Sequence, residues 1–142
     1  MRQMLVRNYR EWIILLVLCG CARMANDGPK RRIVEGEVIF NDVPVDYGLI
    51  RFAPQPDGPI VTAEILKGKY HVDNKGGVPV GKVRVEITAT PNTGNMSEEE
   101  LRTHPPAPAV IIPARYNTSS VLMETVSDEG GTQELNFRLG AK

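Results

Sequence analysis

The sequence predicts an all-β protein, a seven-strand antiparallel β-sandwich behind a short N-terminal export segment. Three observations carry this reading. Apolar and polar residues alternate in several short runs, the period of a half-buried strand. Glycine (13) and proline (11) are frequent among the 142 residues and aromatic residues make up only 6 %, which suits short elements joined by many turns. No stretch keeps a helical period beyond a single turn. The charge is balanced, with 17 Lys+Arg against 17 Asp+Glu, and this argues against a nucleic-acid partner, which needs a basic excess.

The first element is an address. Arg2, Arg7 and Arg10 precede an uncharged run that begins at Trp12 and extends to Ala22, eleven residues. A membrane-crossing helix needs roughly 20. Residues 1–20 therefore read as the charged and apolar regions of a secretory signal. Leu18-Cys19-Gly20-Cys21 resembles a bacterial lipobox, in which small residues precede an obligatory Cys. That resemblance implies cleavage before Cys21, a thioether link from its sulfur to a diacylglycerol, and a membrane-anchored mature chain. The two cysteines lie at 19 and 21, so processing leaves no thiol for a disulfide. Removing Arg2, Arg7, Arg10 and Glu11 from the 17 basic and 17 acidic residues leaves 14 and 16, a net charge of −2. Residues 21–32 are small and polar and read as a flexible tether, with Lys30, Arg31 and Arg32 as solvated charges or as contacts to anionic head groups.

From Ile33 the elements are strands. In 33–40, Val34, Gly36, Val38 and Phe40 share one face and Glu35 and Glu37 the other. Asn41-Asp42-Val43-Pro44 reads as a turn. A second strand covers 48–53 and stops at Pro54 and Pro56, since proline cannot donate to a ladder. Strands 61–66 and 69–72 flank Lys67-Gly68, a hairpin turn. Residues 73–79 are loop. Segment 80–90 has the clearest alternation: Val83, Val85, Ile87 and Ala89 inward, Lys82, Arg84, Glu86 and Thr88 outward. Ser97 and Glu100 match a capping box for one helical turn at 97–101. Strands at 121–126 and 133–139 complete the seven, the last with Leu135, Phe137 and Leu139 inward.

Val34-Glu35-Gly36-Glu37-Val38, Pro44-Val45, Gly48-Leu49-Ile50-Arg51-Phe52, Gly68-Lys69-Tyr70 and Pro79-Val80-Gly81-Lys82-Val83-Arg84-Val85 together resemble a carboxypeptidase regulatory-like domain. Ile112-Pro113-Ala114-Arg115-Tyr116-Asn117 is similar to a segment of small bacterial lipoproteins carrying that domain. The resemblance spans 33–139, leaving 140–142 as a tail. It implies a transthyretin-like sandwich, and it implies accessory or adhesive roles more than an activity. From the residues themselves, Gly36, Gly48 and Gly81 read as points of bulging or close backbone approach. Tyr70 and Tyr116 read as half-buried rings, and Arg51 and Arg84 as outward-facing.

A search for chemistry yields little. His71 and His104 lie 33 positions apart with no ligand-spacing motif around them, so no metal or other cofactor is expected. There is no nucleophile elbow and no glycine-rich phosphate loop. The Tyr-Arg-Gly-Ser tail of transthyretin-like hydroxyisourate hydrolases is missing from Phe137-Arg138-Leu139-Gly140-Ala141-Lys142. The spacing of Tyr47, Tyr70, Tyr116 and the two histidines does not match the iron ligands of intradiol dioxygenases. The expectation is a non-catalytic, monomeric, lipid-anchored envelope module on the periplasmic or surface face of a membrane, binding a protein or a glycan. The alternatives are a structural lipoprotein with no dedicated ligand and an unrecognised hydrolase. The candidate partner surface is 91–113, which holds five of the eleven prolines in 23 residues. A connection of this length is usually functional or disordered. Pro105-Pro106-Ala107-Pro108 favours an extended polyproline conformation. Val110-Ile111-Ile112 is expected to pack at a sheet edge. Glu98, Glu99, Glu100, His104, Arg115 and Tyr116 are expected to gather at one end of the sheet.

Overall fold

The computed structural model describes residues 28–141. The export segment, Cys21 and the first part of the tether lie outside the described residues. The chain forms β1 (Arg31–Arg32), β2 (Val34–Phe40), β3 (Val43–Pro44), β4 (Tyr47–Pro54), β5 (Val61–Leu66), β6 (Lys69–Val72), β7 (Val78–Pro79), β8 (Gly81–Ala89), α1 (Glu98–Thr103), β9 (Leu122–Val126), β10 (Gln133–Glu134) and β11 (Phe137–Leu139).

One strongly curled, half-barrel sheet dominates, mostly antiparallel, in the order β10-β2-β6-β5-β4-β8-β9, with β3 and β11 also on β2. A small second sheet pairs β1 with β7. The central ladder is long: β4 meets β8 from Gly48↔Ala89 to Pro54↔Val83, and β5 from Tyr47↔Leu66 to Phe52↔Val61. Between β5 and β6 the ladder shrinks to one rung, Leu66↔Lys69. There the sheet turns over, and Val34, Val38, Tyr70 and Val72 face Ile50, Phe52, Val85 and Ile87 in a single core. Tyr70 stacks obliquely between Phe52 and Phe137, with ring centroids 5.9 and 6.2 Å apart.

The alternating runs form the strands read from them. Val83, Val85 and Ile87 are fully buried, while Lys82 and Thr88 are exposed. Lys67-Gly68 is a two-residue turn with both φ angles positive, 50° and 78°, the hand that matches strand twist. Asn41-Asp42 repeats this at 50° and 65°, because short polar side chains tolerate the left-handed region. That turn is tighter than the four residues expected, so Val43-Pro44 pairs back on β2 as β3. The capping box forms: Ser97 Oγ accepts from the Glu100 amide, and Glu100 Oε2 accepts from the Ser97 amide at 2.8 Å.

Three further expectations change. The end of the tether belongs to the fold: Arg31–Arg32 pairs with β7, and Arg32 donates to Ser127 Oγ and the Gly131 carbonyl, while Lys30 meets Asp128 at 2.7 Å. The final strand is split and runs parallel to β2, in one register on both sides of the break (Glu134↔Glu35, Phe137↔Val38). The break falls where Asn136 Oδ1 accepts the Glu37 amide at 2.8 Å. Tyr70 is buried rather than half-buried, and its ring packs in the core enclosed by the curled sheet.

Candidate functional site

The segment 91–113 leaves the sheet after β8 and returns through Ile112, which is buried. Its helix α1 buries none of its residues. The side chains of α1 bond mainly to one another: Arg102 Nη2 reaches Glu99 Oε2 at 2.9 Å, Thr103 Oγ1 donates to the Glu99 carbonyl, and His104 Nδ1 lies 3.1 Å from Thr103 Oγ1. The Ser97 bonds hold the Glu100 carboxyl below its ordinary range. Glu98 is exposed in the same turn. Arg115 and Tyr116 sit elsewhere, against the C-terminal segment. Arg115 Nη2 donates to the Gly140 carbonyl at 2.5 Å, its guanidinium lies 4.8 Å over the Tyr116 ring, and the Gly140 amide reaches Tyr116 Oη at 3.4 Å. The Arg115 hydrogen bond, with help from the Gly140 amide, draws the Tyr116 phenol below its ordinary value. The six residues thus occupy two settings, a self-contained helical turn and a clasp on the chain end.

The apolar part of the segment behaves differently from expectation. Ile112 packs, but Ile111 is 86 % exposed. Val43, Pro44, Pro91, Pro108 and Val110 line a cleft of about 230 Å³ beside it, and Val43 is itself 65 % exposed. Large aliphatic groups are thus held in water by a segment whose prolines restrict its motion.

A larger groove, about 840 Å³, opens where β5 and β6 part. Glu35, Glu37, Glu64, Asp73 and Glu134 line it, against Lys69 and His71. His71 is half-exposed and held between two carboxylates, with Nδ1 3.0 Å from Glu35 Oε2 and Nε2 3.9 Å from Asp73 Oδ2. Lys69 lies 3.8 Å from Glu37. Both contacts follow from the register, because Glu35 stands opposite His71 and Glu37 opposite Lys69 on the outward face of β2 and β6. Read along the chain, these residues are two unrelated alternations. The outward Glu-x-Glu of β2 and Lys-x-His of β6 were the available signal, and only the pairing of the two strands joins them. Among the described residues no three His, Cys, Asp or Glu side chains converge as a metal-ligand set.

Comparison with protein-family models, with curated proteins and with solved structures returns no match to this chain. No helix among the described residues is long and apolar enough to cross a membrane.

Proposed function

We propose that this chain is a non-catalytic, lipid-anchored binding module of the bacterial envelope, carried on Cys21 and presenting 91–113 to a protein partner. In this reading the curled sheet is the seven-strand, transthyretin-like sandwich of carboxypeptidase regulatory-like domains. The single rung at Leu66↔Lys69 supports it, since it lets the sheet fold into two leaves around one core.

The observation that carries the function is the aliphatic rim made by Val43, Val110 and the neighbouring Ile111, exposed beside a proline-lined cleft. Exposing such groups loses the favourable transfer of apolar surface from water, about 25 cal/mol per Å². A protein side chain seated in the cleft recovers that term. A glycan, which is recognised mainly through hydroxyl groups, recovers less of it.

Two experiments test the reading. Palmitate labelling in a bacterial host should mark the wild type and not Cys21→Ser; equal labelling removes the anchor from the proposal. A photo-crosslinking amino acid at position 111 of the full-length chain should give a discrete protein adduct that Val43→Asp with Val110→Asp abolishes. An adduct no stronger than one from position 129, an exposed residue that lines neither this cleft nor the β5–β6 groove, removes the loop as the binding surface.

A further inference from the structure

We infer that the gap between β5 and β6 is a second binding surface, which takes an extended cationic peptide as an added β-strand on the free edge of β5. It shares no lining residue with the cleft beside 91–113, so either surface can fail alone.

The backbone supplies the first argument. In a two-residue hairpin the residues flanking the turn exchange hydrogen bonds, and the direction then alternates along each strand. Leu66 and Lys69 are that pair. Counting back along β5, Glu64 and Thr62 turn their N–H and C=O groups away from β4 and toward the gap. Across it His71 does the same from β6. The pairing of β5 with β6 ends at Leu66↔Lys69, so among the described residues these groups have no strand partner. An unpaired edge of this kind is a template for another strand, and charged side chains beside it select the strand that adds.

Charge decides what can enter. The five carboxylates of the groove exceed Lys69 and His71. Glu64 projects outward from β5, and Glu35 and Glu37 project outward from the facing leaf. A strand laid along β5 places every second side chain on this outward face. Lysine or arginine at those positions meets Glu64 directly on β5; on the other side stand Lys69 and His71 of β6, each already neutralised by a carboxylate of β2 (Glu37 and Glu35), so the surplus charge facing the added strand is negative. The residues between point inward toward Ala63 and the ring of Tyr70, where small or apolar groups fit. The occupant is thus a peptide segment alternating cationic and small apolar residues. Its acidic counterpart meets like charges.

The test uses the full-length chain in neutral detergent, with detergent alone as the blank. A fluorescein-labelled ten-residue peptide alternating lysine and valine is titrated by anisotropy, with a glutamate–valine peptide as control. The lysine peptide should bind, and Glu37→Lys with Glu64→Lys should weaken it at least tenfold. On the wild type, saturating peptide should slow amide hydrogen exchange of Thr62 and Glu64 at least tenfold, with no comparable change at Ala63, which already pairs with β4. Failure of the lysine peptide to bind, or equal binding of the glutamate peptide, overturns the proposal. Binding that leaves the Thr62 and Glu64 amides unslowed overturns it as well, since the peptide is then held by surface charge without strand addition.

Discussion

The hydroxyl of Tyr70 donates to the carbonyl oxygen of Leu135 at 2.7 Å, tying β6 to the strand that lies on the far side of β2. The contact reaches across β2 at Gly36, where a methyl group would sit 1.9 Å from that same oxygen. The amide of Leu135 meanwhile donates to the Glu35 carbonyl at 2.8 Å. A buried phenol, a missing side chain and a break in the last strand therefore form one device, which fastens the chain end over the core.

Tyr70→Phe should cost about 1–2 kcal/mol at neutral pH, the worth of a hydrogen bond whose acceptor is left without its partner. Burial, helped by Glu124 and Glu134, raises the Tyr70 phenol above its ordinary range. A group whose folded-state value is raised contributes stability that is complete below its unfolded value. For tyrosine that value is about 10. The contribution is lost as pH climbs from there through the folded-state value. Urea unfolding at pH 8 and pH 11 should show the gap between wild type and Tyr70→Phe narrowing at the higher pH. A constant gap would mean that the phenol does not titrate differently in the folded state.

Gly36→Ala should destabilise by roughly 1–3 kcal/mol or more, since the clash is with backbone on a paired strand and has little room to relax. Gly130→Ala is the control: nothing lies within 4 Å of the added methyl, and its effect should stay within about 0.5 kcal/mol. Chemical denaturation of both variants measures the difference. Equal midpoints would show that β2 and the Leu135 carbonyl can separate freely.

Val85→Asp places a carboxylate among Phe52, Ile87 and Leu122, where no buried residue among those described is charged, and should cost about 4 kcal/mol or more. Lys82→Asp, three residues earlier on the outward face of β8, should leave the unfolding midpoint nearly unchanged. Circular dichroism melts of the pair read out which face of the strand is inside.

Ser97→Ala removes one half of the capping box, an interaction worth about 1 kcal/mol to a helix. Because α1 buries none of its residues, the loss should stay local. The amides of 98–103 should lose their helical chemical shifts while the global unfolding midpoint stays put. A lowered midpoint would mean that α1 supports the sheet.

The alternation of apolar and polar residues already determined which face of each strand is inside, and Val83, Val85, Ile87, Phe137 and Leu139 are buried as that period requires. Local chemistry also determined the Lys67-Gly68 turn and the Ser97–Glu100 cap, since both depend on residues within four positions of one another. What the period does not contain is the choice of neighbour. The last strand lies parallel to β2, about a hundred residues back, because that edge buries Phe137 and Leu139 against the shared core. That choice in turn gives Gly36 its partner, Leu135. The same holds for the groove: Glu35 and His71 are two outward residues of separate alternations until β2 pairs with β6 and sets them opposite each other. The gap beside them exists because β5 and β6 part after one rung to close the core. Burial drives that separation, and no spacing along the chain encodes it.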